Sequence, residues 1–503
     1  MERVLLQENT FDFTGITCDS RIVKPGYAFI AIRGFETDGN KYILEAIKKG
    51  AAAIFTDQEI KNKEKFSKKV PIIEVDNARA YLGELASDFY NNPSEKLQLI
   101  GITGTNGKTT TTHLIYQLIN YCSNYNNSNN SNNYKKAGLI GTVHVDNGKS
   151  IIPGDLTTPD AVQLQKYLKD MLDSKLKYSC MEVSSHGIKL ERIAGSKFAI
   201  KVGTNISADH FDLHPSFEDY VNVKKSFLKA DDGALVLLNN DDKYINSFGK
   251  IAENQITFGI NSKADVTCTN IKNSGKGHDF IYSLNSKMLN ENNDEINPYQ
   301  IPIEINLPGY HNIYNALIAI TIARYYNIPS LIIQEFFKKF RGIWRRLQFV
   351  YDKEFTIIDD CAHNPGSYQA VFNAISKMNY NKLIIVNSLR GNRGVRINQE
   401  NAETLSQSLM SSNDFQLLTS NCNDVVKKID KVYENEEEIF IRTLRKNELC
   451  FEHFQDLRPA LERALDLVDR NDIILLLGPH AMDDAAESIL NLISEKEDKE
   501  LKI

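Results

Sequence analysis

The sequence predicts an α/β fold in three domains, the central one built on a doubly wound, mainly parallel sheet with a phosphate-binding loop. Three observations predict it. The chain is 503 residues long, and at roughly 150 residues per domain that length suits about three cores. Short apolar runs alternate with amphipathic helical patterns over most of the chain, which is how repeated βαβ units read. The apolar run 97–103 ends in Gly-rich sequence just before a helical pattern opens at Lys108, the strand–turn–helix start of a nucleotide-binding sheet.

The elements follow in order. Residues 27–32 (YAFIAI) read as a strand, 42–49 as an amphipathic helix, and 51–56 and 70–75 as strands. Asn91-Asn92-Pro93-Ser94 predicts a linker. After the 97–103 strand comes a helix over 108–119, then the polar, low-complexity stretch 124–133 (NYNNSNNSNN), expected to be a disordered surface loop. Residues 265–305 read as an antiparallel insertion of short strands. A third alternating unit starts near Gly342, with strands at 355–358, 383–386, 415–418 and 473–477.

Composition excludes several function classes. Hydrophobic residues make up 42% and charged residues 25%, ordinary for a globular protein and too apolar for wholesale disorder. Lys plus Arg number 59 against 65 Asp plus Glu, a net charge of −6, whereas a dedicated nucleic-acid binder carries a basic excess. No apolar run reaches the roughly 18–20 residues of a membrane helix, and residues 1–13 meet acidic and polar side chains too early for a secretory signal. Seven cysteines without a Cys-x-x-Cys pair fit a reducing compartment rather than a disulfide framework or zinc site. The expectation is a cytoplasmic protein with neither nucleic acid nor membrane as partner.

The chemistry concentrates in Gly101-Ile-Thr-Gly104-Thr105-Asn106-Gly107-Lys108-Thr109-Thr110. Glycines let backbone wrap closely around phosphate, and the following helix aims N–H groups and the positive end of its dipole at the anion. Lys108 is placed to reach the β- and γ-phosphates, and the Thr109 hydroxyl to hold magnesium. Ile102 stands where the general pattern has its first glycine; the glycine is at 101.

That variant loop resembles the Mur ligase family, the ATP-dependent amide-forming enzymes of peptidoglycan precursor synthesis. Further segments resemble its UDP-N-acetylmuramoyl-tripeptide synthetases: Thr17-Cys-Asp19-Ser20-Arg21, Thr157-Thr158-Pro159-Asp160, Met181-Glu182-Val183-Ser184-Ser185-His186-Gly187 with Arg192, Thr204-Asn205-Ile206 with Asp209-His210-Phe211-Asp212, Tyr220-x-x-x-Lys224, Gly309-Tyr-His-Asn312-Ile-Tyr-Asn315, Arg346, and Asp360-Cys-Ala-His363-Asn-Pro365. The resemblance implies three domains: a UDP-substrate domain at 1–94, an ATP-binding domain at 95–341 and a C-terminal Mur ligase domain at 342–503. It implies ATP binding by Gly104, Thr105, Asn106, Gly107, Lys108, Thr109, Thr110, Asn312, Arg346 and Asp360. It implies that a UDP-MurNAc-dipeptide-like nucleotide is held by Ser20, Thr157, Thr158, Ser184 and Arg192, that the second substrate is an amino acid, and that the enzyme is a monomer. Lys108, Lys224, His210 and Glu182 are implied as catalytic. Two Mg2+ ions are implied on Thr109, Glu182, His210 and Lys224, the last as a CO2-derived carbamate. The reaction implied is phosphorylation of a carboxylate, attack of an amine on the acyl phosphate, and domain closure against water.

The residue types make sense by themselves. Glu182 ends an apolar run, so it faces the crevice where α/β sheets take ligands, and hard magnesium prefers such oxygen donors. Lys224 lies beside Lys225 in a helical pattern, which by itself reads as a solvated face; a carbamate there requires a desolvated lysine. Ser184, Ser185 and His186 are too close along one loop to form a Ser–His nucleophile pair. A catalytically silent scaffold, the rival from another class, would tolerate loss of Lys108, Glu182 or Lys224, and all three are present.

The C-terminal third departs from the family. Where ligases adding diaminopimelate carry Asp-Asn-Pro-Arg, this chain has Asn421-Cys422-Asn423-Asp424; Gly391-Asn392-Arg393-Gly394 replaces Gly-Asp-Arg-Asp, and Gly478-Pro479-His480-Ala481-Met482 replaces Gly-Lys-Gly-His-Glu. With no arginine for a distal carboxylate, diaminopimelate is expected to be a poor substrate. Asp424 is expected to pair with the ammonium of a basic amino acid such as lysine, and Arg393 and Arg396 to hold an α-carboxylate or phosphate. Cys361, where Tyr is usual, reads as a small hydrophobe.

Overall fold

Four short strands near the N-terminus, Gly15–Thr17, Tyr27–Ala31, Ala53–Thr56 and Ile72–Glu74, pair in that order and all in parallel. A parallel sheet is covered on both faces, so its strands are apolar throughout rather than alternating. Ala28 and Ile30 point into one core with Phe55, Leu82 and Leu85, while Phe29 and Ala31 point into the other with Ile43, Ala46 and Ile54. The computed structural model describes the chain apart from residues 1–2, 7–8, 35–36, 60–69, 129–135, 208–213, 231–232, 275–276, 341, 411–413 and 501–503. It divides into two compact units: Met1–Thr267 with Leu284–Pro298 and Asn315–Pro329, and Cys268–Ser283 with Tyr299–Tyr314 and Ser330–Ile503.

The first unit also carries the central sheet. Gln98–Thr103 lies between Tyr178–Glu182 and Ile200–Gly203, parallel to both. Ala137–Ile140 pairs in parallel outside Tyr178–Glu182, followed by the antiparallel His144–Asp146 and Ile151–Pro153. On the other side Leu235–Asn239 and then Gln255–Phe258 continue in parallel. Chain order therefore reverses at Gln98–Thr103, and the ends of that strand and its neighbours open on the crevice where such sheets take ligands. Asn91 and Asn92 both adopt positive φ, 64° and 49°, before the one-turn helix Pro93–Lys96, so the linker is an ordered turn.

The helix after the loop runs Lys108–Ser128, so residues 124–128 are helical rather than part of a disordered loop. Buried Leu114, Ile115, Leu118, Ile119 and Cys122 anchor the preceding turns. Each further residue then adds a hydrogen bond to an existing helix, which outweighs the modest propensity cost of asparagine. The rest of that stretch lies outside the described residues.

In the second unit six strands from Gln348 onward form one sheet, in the order Gln348–Asp352, Thr356–Asp360, Ile473–Leu477, Leu383–Ser388, Phe415–Ser420, Phe451–Phe454. All pairs but the first are parallel. Helices Pro365–Ile375, Val395–Met410 and Glu434–Lys446 bury Phe372, Leu405 and Phe440 on one face. Leu457–Leu467 and Ala485–Glu500 bury Leu461 and Ile489 on the other. That is a second doubly wound sheet. Within the expected antiparallel insertion, Met288–Leu289 pairs antiparallel with Glu295–Ile296. Among the described residues no helix is long and apolar enough to cross a membrane.

Candidate active site

The loop at the end of Gln98–Thr103 is shaped by Gly104 and Gly107, at φ 151° and 85°. A Cβ on Gly104 would collide with the Thr204 hydroxyl, and one on Gly107 would lie 2.9 Å from Asn315 Oδ1. The displaced glycine has a different explanation. A Cβ on Gly101 would lie 2.6–2.7 Å from the rings of Phe198 and Phe227, which pack edge-on at 5.0 Å; that glycine makes room for core aromatics, not for phosphate.

Neighbouring strands brace the loop. Asn205 Oδ1 accepts the Asn106 N–H at 3.0 Å, while Asn205 Nδ2 and Thr204 Oγ1 donate to the Asn106 carbonyl at 2.9 and 2.7 Å. Tyr220 Oη and Thr105 Oγ1 share a 2.9 Å hydrogen bond. Thr111 Oγ1, on the helix whose first turn carries Thr109 and Thr110, donates to Asn315 Oδ1 at 3.0 Å. Lys108 Nζ curls back to donate to the Gly104 and Thr105 carbonyls at 2.8 and 2.9 Å.

Glu182, last residue of its strand and 1% exposed, meets this loop directly. Its Oε2 accepts from Thr109 Oγ1 at 2.8 Å and its Oε1 from the Thr142 N–H at 2.8 Å. Two hard oxygen donors at a phosphate loop suit Mg2+, which keeps most of its waters and takes one or two protein ligands plus phosphate. Among the described residues no cluster of three His, Cys, Asp or Glu side chains forms a protein-only metal cage. His210, with Asp209 and Asp212, lies outside the described residues.

Lys224 is buried, 1% exposed, so the solvated-face reading fails. Its Nζ donates to the Gly104 carbonyl at 2.9 Å, lies 3.4 Å from Thr103 Oγ1, and stands 4.8 Å from the Tyr220 ring centre. The next lysine, Lys225, instead lies over Phe248. His214 is held through Nδ1 by Asp219 at 2.7 Å, and Lys189 reaches the same carboxylate oxygen at 2.6 Å. Burial pushes the His214 imidazole below its ordinary pKa, with the Asp219 hydrogen bond pulling the other way.

The residues assigned to the nucleotide substrate gather at the same strand end, with one exception. Thr142 Oγ1 donates to Thr157 Oγ1 at 3.0 Å; Thr158 Oγ1 bonds the Glu182 carbonyl at 2.9 Å and Ser184 Oγ at 3.1 Å; Arg192 Nη1 donates to the Thr158 carbonyl at 3.0 Å. Ser184 Oγ also caps the helix Ser185–Lys189 by accepting the Gly187 N–H, a structural commitment unlike that of a nucleophile. The exception, Ser20, belongs to the N-terminal sheet, where its hydroxyl lies 3.4 Å from Glu45 Oε2.

Asn312, Arg346 and Asp360 belong to the second unit. Asn312 Nδ2 donates to the Pro308 carbonyl at 2.6 Å. Asp360 Oδ2 accepts the Leu347 N–H at 2.8 Å. Burial raises the Asp360 pKa, against the pull of Arg346. Arg345, which the sequence did not single out, is the buried partner: 1% exposed, bonded to Asp359, Asp483 and the carbonyls of Gly478 and Pro479. Burial likewise raises the Cys361 thiol, in keeping with a non-redox role.

Asp424 requires a correction. Its two oxygens accept the N–H groups of Leu457 and Arg458 at 2.7 and 3.1 Å, capping the helix Leu457–Leu467. Asp456, at the N-cap position, makes no such side-chain bond. Both oxygens are thus engaged at a helix end, a structural role that the residues around Asp424 do not signal in the sequence. Arg396 pairs with Glu400 on its own helix and Arg393 with Asp430. The sequence also passed over Thr142, whose only signal is a Gly-Thr step after the strand Ala137–Ile140.

Two doubly wound sheets, one ending in a phosphate loop wired to a buried carboxylate, define a nucleotide-binding α/β protein. Family models agree over nearly the whole length: the Mur ligase family catalytic domain matches residues 12–90, the Mur ligase middle domain 102–323, and the Mur ligase glutamate ligase domain 345–480. The UDP-N-acetylmuramoyl-L-alanyl-D-glutamate–2,6-diaminopimelate ligase of Caldanaerobacter subterraneus subsp. tengcongensis is 34% identical over 471 residues, 93% of this chain and 89% of that one. The ligase of the same name from Clostridium botulinum is 31% identical, covering 95% and 92%. A solved structure with that title superposes with a TM-score of 0.63 at 22% identity, over 93% of this chain and 89% of the other. The chain belongs to the Mur ligase family.

Proposed function

We propose that this ligase joins an amino acid to the free carboxylate of a UDP-MurNAc-L-Ala-D-Glu nucleotide, in the cytoplasm and as a monomer. The observation that carries the reading is one hydrogen-bonded network, from Thr109 through Glu182 to Thr142, Thr157, Thr158 and Ser184. It joins a phosphate loop to a group of hydroxyls suited to a polar substrate.

In this reading the loop amides and Lys108 hold the ATP phosphates, the lysine exchanging its two carbonyl contacts for phosphate oxygens. Thr157, Thr158, Ser184 and Arg192 orient the substrate carboxylate toward the γ-phosphorus. A carboxylate oxygen forms the new P–O bond as the bond to ADP breaks; the amine then attacks the acyl carbon, loses a proton, and phosphate leaves. Mg2+ held by Thr109 and Glu182, with His210 and Lys224 as a carbamate completing the set, neutralises phosphate charge when bound. A carbamate Nζ keeps one hydrogen, so Lys224 would still donate to the Gly104 carbonyl while presenting an anion. The second unit, with Asn312, Arg346 and Asp360, contributes to the nucleotide and receives the amino acid.

The test is a phosphate-release screen of the common amino acids and meso-diaminopimelate with UDP-MurNAc-L-Ala-D-Glu and ATP. Release that requires both the nucleotide and one amino acid is expected. A folded enzyme releasing no phosphate with any of them would remove the reading.

A further inference from the structure

Two consecutive glutamates at the start of the helix Glu434–Lys446 hold two different loops. Glu436 is 1% exposed, and four backbone N–H groups converge on its carboxylate. Oε1 accepts from Arg393 at 2.8 Å and Gly394 at 2.6 Å; Oε2 accepts from Asn392 at 2.9 Å and Tyr433 at 3.0 Å. Asn392 and Gly394 have φ of 55° and 88°, so three successive amides form a nest of the kind that binds anions, here filled by the protein's own carboxylate. Glu437 holds the second loop. Its Oε2 accepts from Asn421 Nδ2 at 2.6 Å, while Oε1 meets Gln455 Nε2 at 3.0 Å and His453 Nε2 at 3.1 Å.

These loops leave neighbouring strands. Leu383–Ser388 and Phe415–Ser420 pair in parallel with Ser388 opposite Ser420, so residues 389–394 and 421–424 emerge side by side at the carboxyl edge of the sheet. Leu383–Ser388 also borders Ile473–Leu477, where the strand order reverses and a ligand crevice is expected. The nest is already occupied, so its amides are not offered to a ligand, and a carboxylate arriving there would be met by arginine side chains on that loop. One feature points to a ligand. Asn421 Oδ1, on a side chain 2% exposed, has no hydrogen-bond partner, although buried acceptors are nearly always paired.

Resting on the reading that the second unit receives the amino acid, we propose that Glu436 and Glu437 are positioning residues that set the two amino-acid-receiving loops from a single helix end. Neither touches the reacting atoms. Glu436 fixes the path of Asn392–Gly394, and with it the place of Arg390 and Arg393; Glu437 fixes the side chain of Asn421, whose free oxygen faces a donor on the substrate.

The test uses the full-length enzyme and steady-state phosphate release, varying one substrate at a time with the others saturating. Glu436→Gln puts an amide NH2 against backbone N–H groups. It is expected to raise KM for the amino acid at least tenfold while KM for ATP and for the UDP-nucleotide stays within twofold; Glu436→Asp, which keeps both oxygens, is expected to recover most of the loss. Glu437→Gln, at a side chain 29% exposed, is expected to raise the amino-acid KM about threefold or more with the same selectivity, and it carries the test alone if Glu436→Gln does not fold. Three KM values rising together, or an unmoved amino-acid KM in the folded variants, would overturn the proposal. The wild type separates the two readings: silence with every amino acid removes the ligase reading and this one with it, whereas an active wild type with unselective variants removes this one alone.

Discussion

Lys108 Nζ lies against two carbonyls of its own phosphate loop. Charge-assisted bonds to phosphate are stronger than bonds to neutral carbonyls, so the exchange favours the bound state and strengthens as charge migrates in the transition state. Lys108→Ala is expected to lose about 10²–10³ in turnover, the usual cost of removing one transition-state stabiliser. Near wild-type phosphate release from the folded variant would remove the role. Lys224→Ala is expected to be nearly inactive and partly rescued by short carboxylic acids, which return an anion to the space beside the Gly104 carbonyl. High-resolution density showing an unmodified ammonium in active, substrate-bound enzyme would contradict it. Lys108, Thr109 and Glu182 were legible in the sequence because each sits at a fixed offset from a strand end. Thr142 was not: it meets Glu182 forty positions along the chain, through the pairing of Ala137–Ile140 with Tyr178–Glu182.

Elements were read well where they carried their own pattern and poorly where a distant partner decided. The strand runs near 27–32, 383–386, 415–418 and 473–477 appear within a residue or two, because a buried parallel strand is a continuous apolar run. Gly101 looked like a misplaced phosphate-loop glycine, since nothing local reveals Phe198 and Phe227 behind it. Gly101→Ala is expected to destabilise the fold by about 1–3 kcal/mol through overpacking, read as a lower urea midpoint. Asp424 looked like a pocket acid because its partners, the Leu457 and Arg458 amides, lie more than thirty residues on. Asp424→Ala is expected to cost about 1 kcal/mol, as for other lost helix caps, while leaving amino-acid preference unchanged. A large change in that preference would restore the pocket role.

At the scale of the whole molecule, several histidines sit where burial disfavours their charge. His214 and His278 are 2% and 4% exposed, and for both, as for His144 and His453, burial lowers the imidazole pKa. A histidine with a depressed folded pKa binds fewer protons folded than unfolded. Stability is therefore complete above the unfolded value of about 6.5 and declines as pH falls below it. Urea midpoints measured from pH 8 to 5 should drop below about pH 6.5; a flat profile would mean these rings are open to water.

The choice of amino acid also belongs to the whole molecule, because it separates family membership from substrate. The relatives are diaminopimelate ligases by name, yet at 34% identity most positions differ. Diaminopimelate brings a distal ammonium and carboxylate that must leave water together, and leaving them unpaired costs several kcal/mol. A planar arginine fork is the usual partner for such a carboxylate. Residues 421–424 contain no arginine, Asp424 caps a helix, and the arginines of the neighbouring loop, Arg390 and Arg393, are the ones placed for the first carboxylate, Arg393 also contacting Asp430 at 3.3 Å. Asn421 offers one free acceptor, which suits a donor and not a carboxylate. Meso-diaminopimelate is therefore expected to be outcompeted by another amino acid, and with both Asp424 oxygens engaged at a helix end no free charge selects lysine. Parallel kinetics decide: a kcat/KM for diaminopimelate above that of every other amino acid tested would mean that an arginine from elsewhere in the second unit reaches the distal carboxylate.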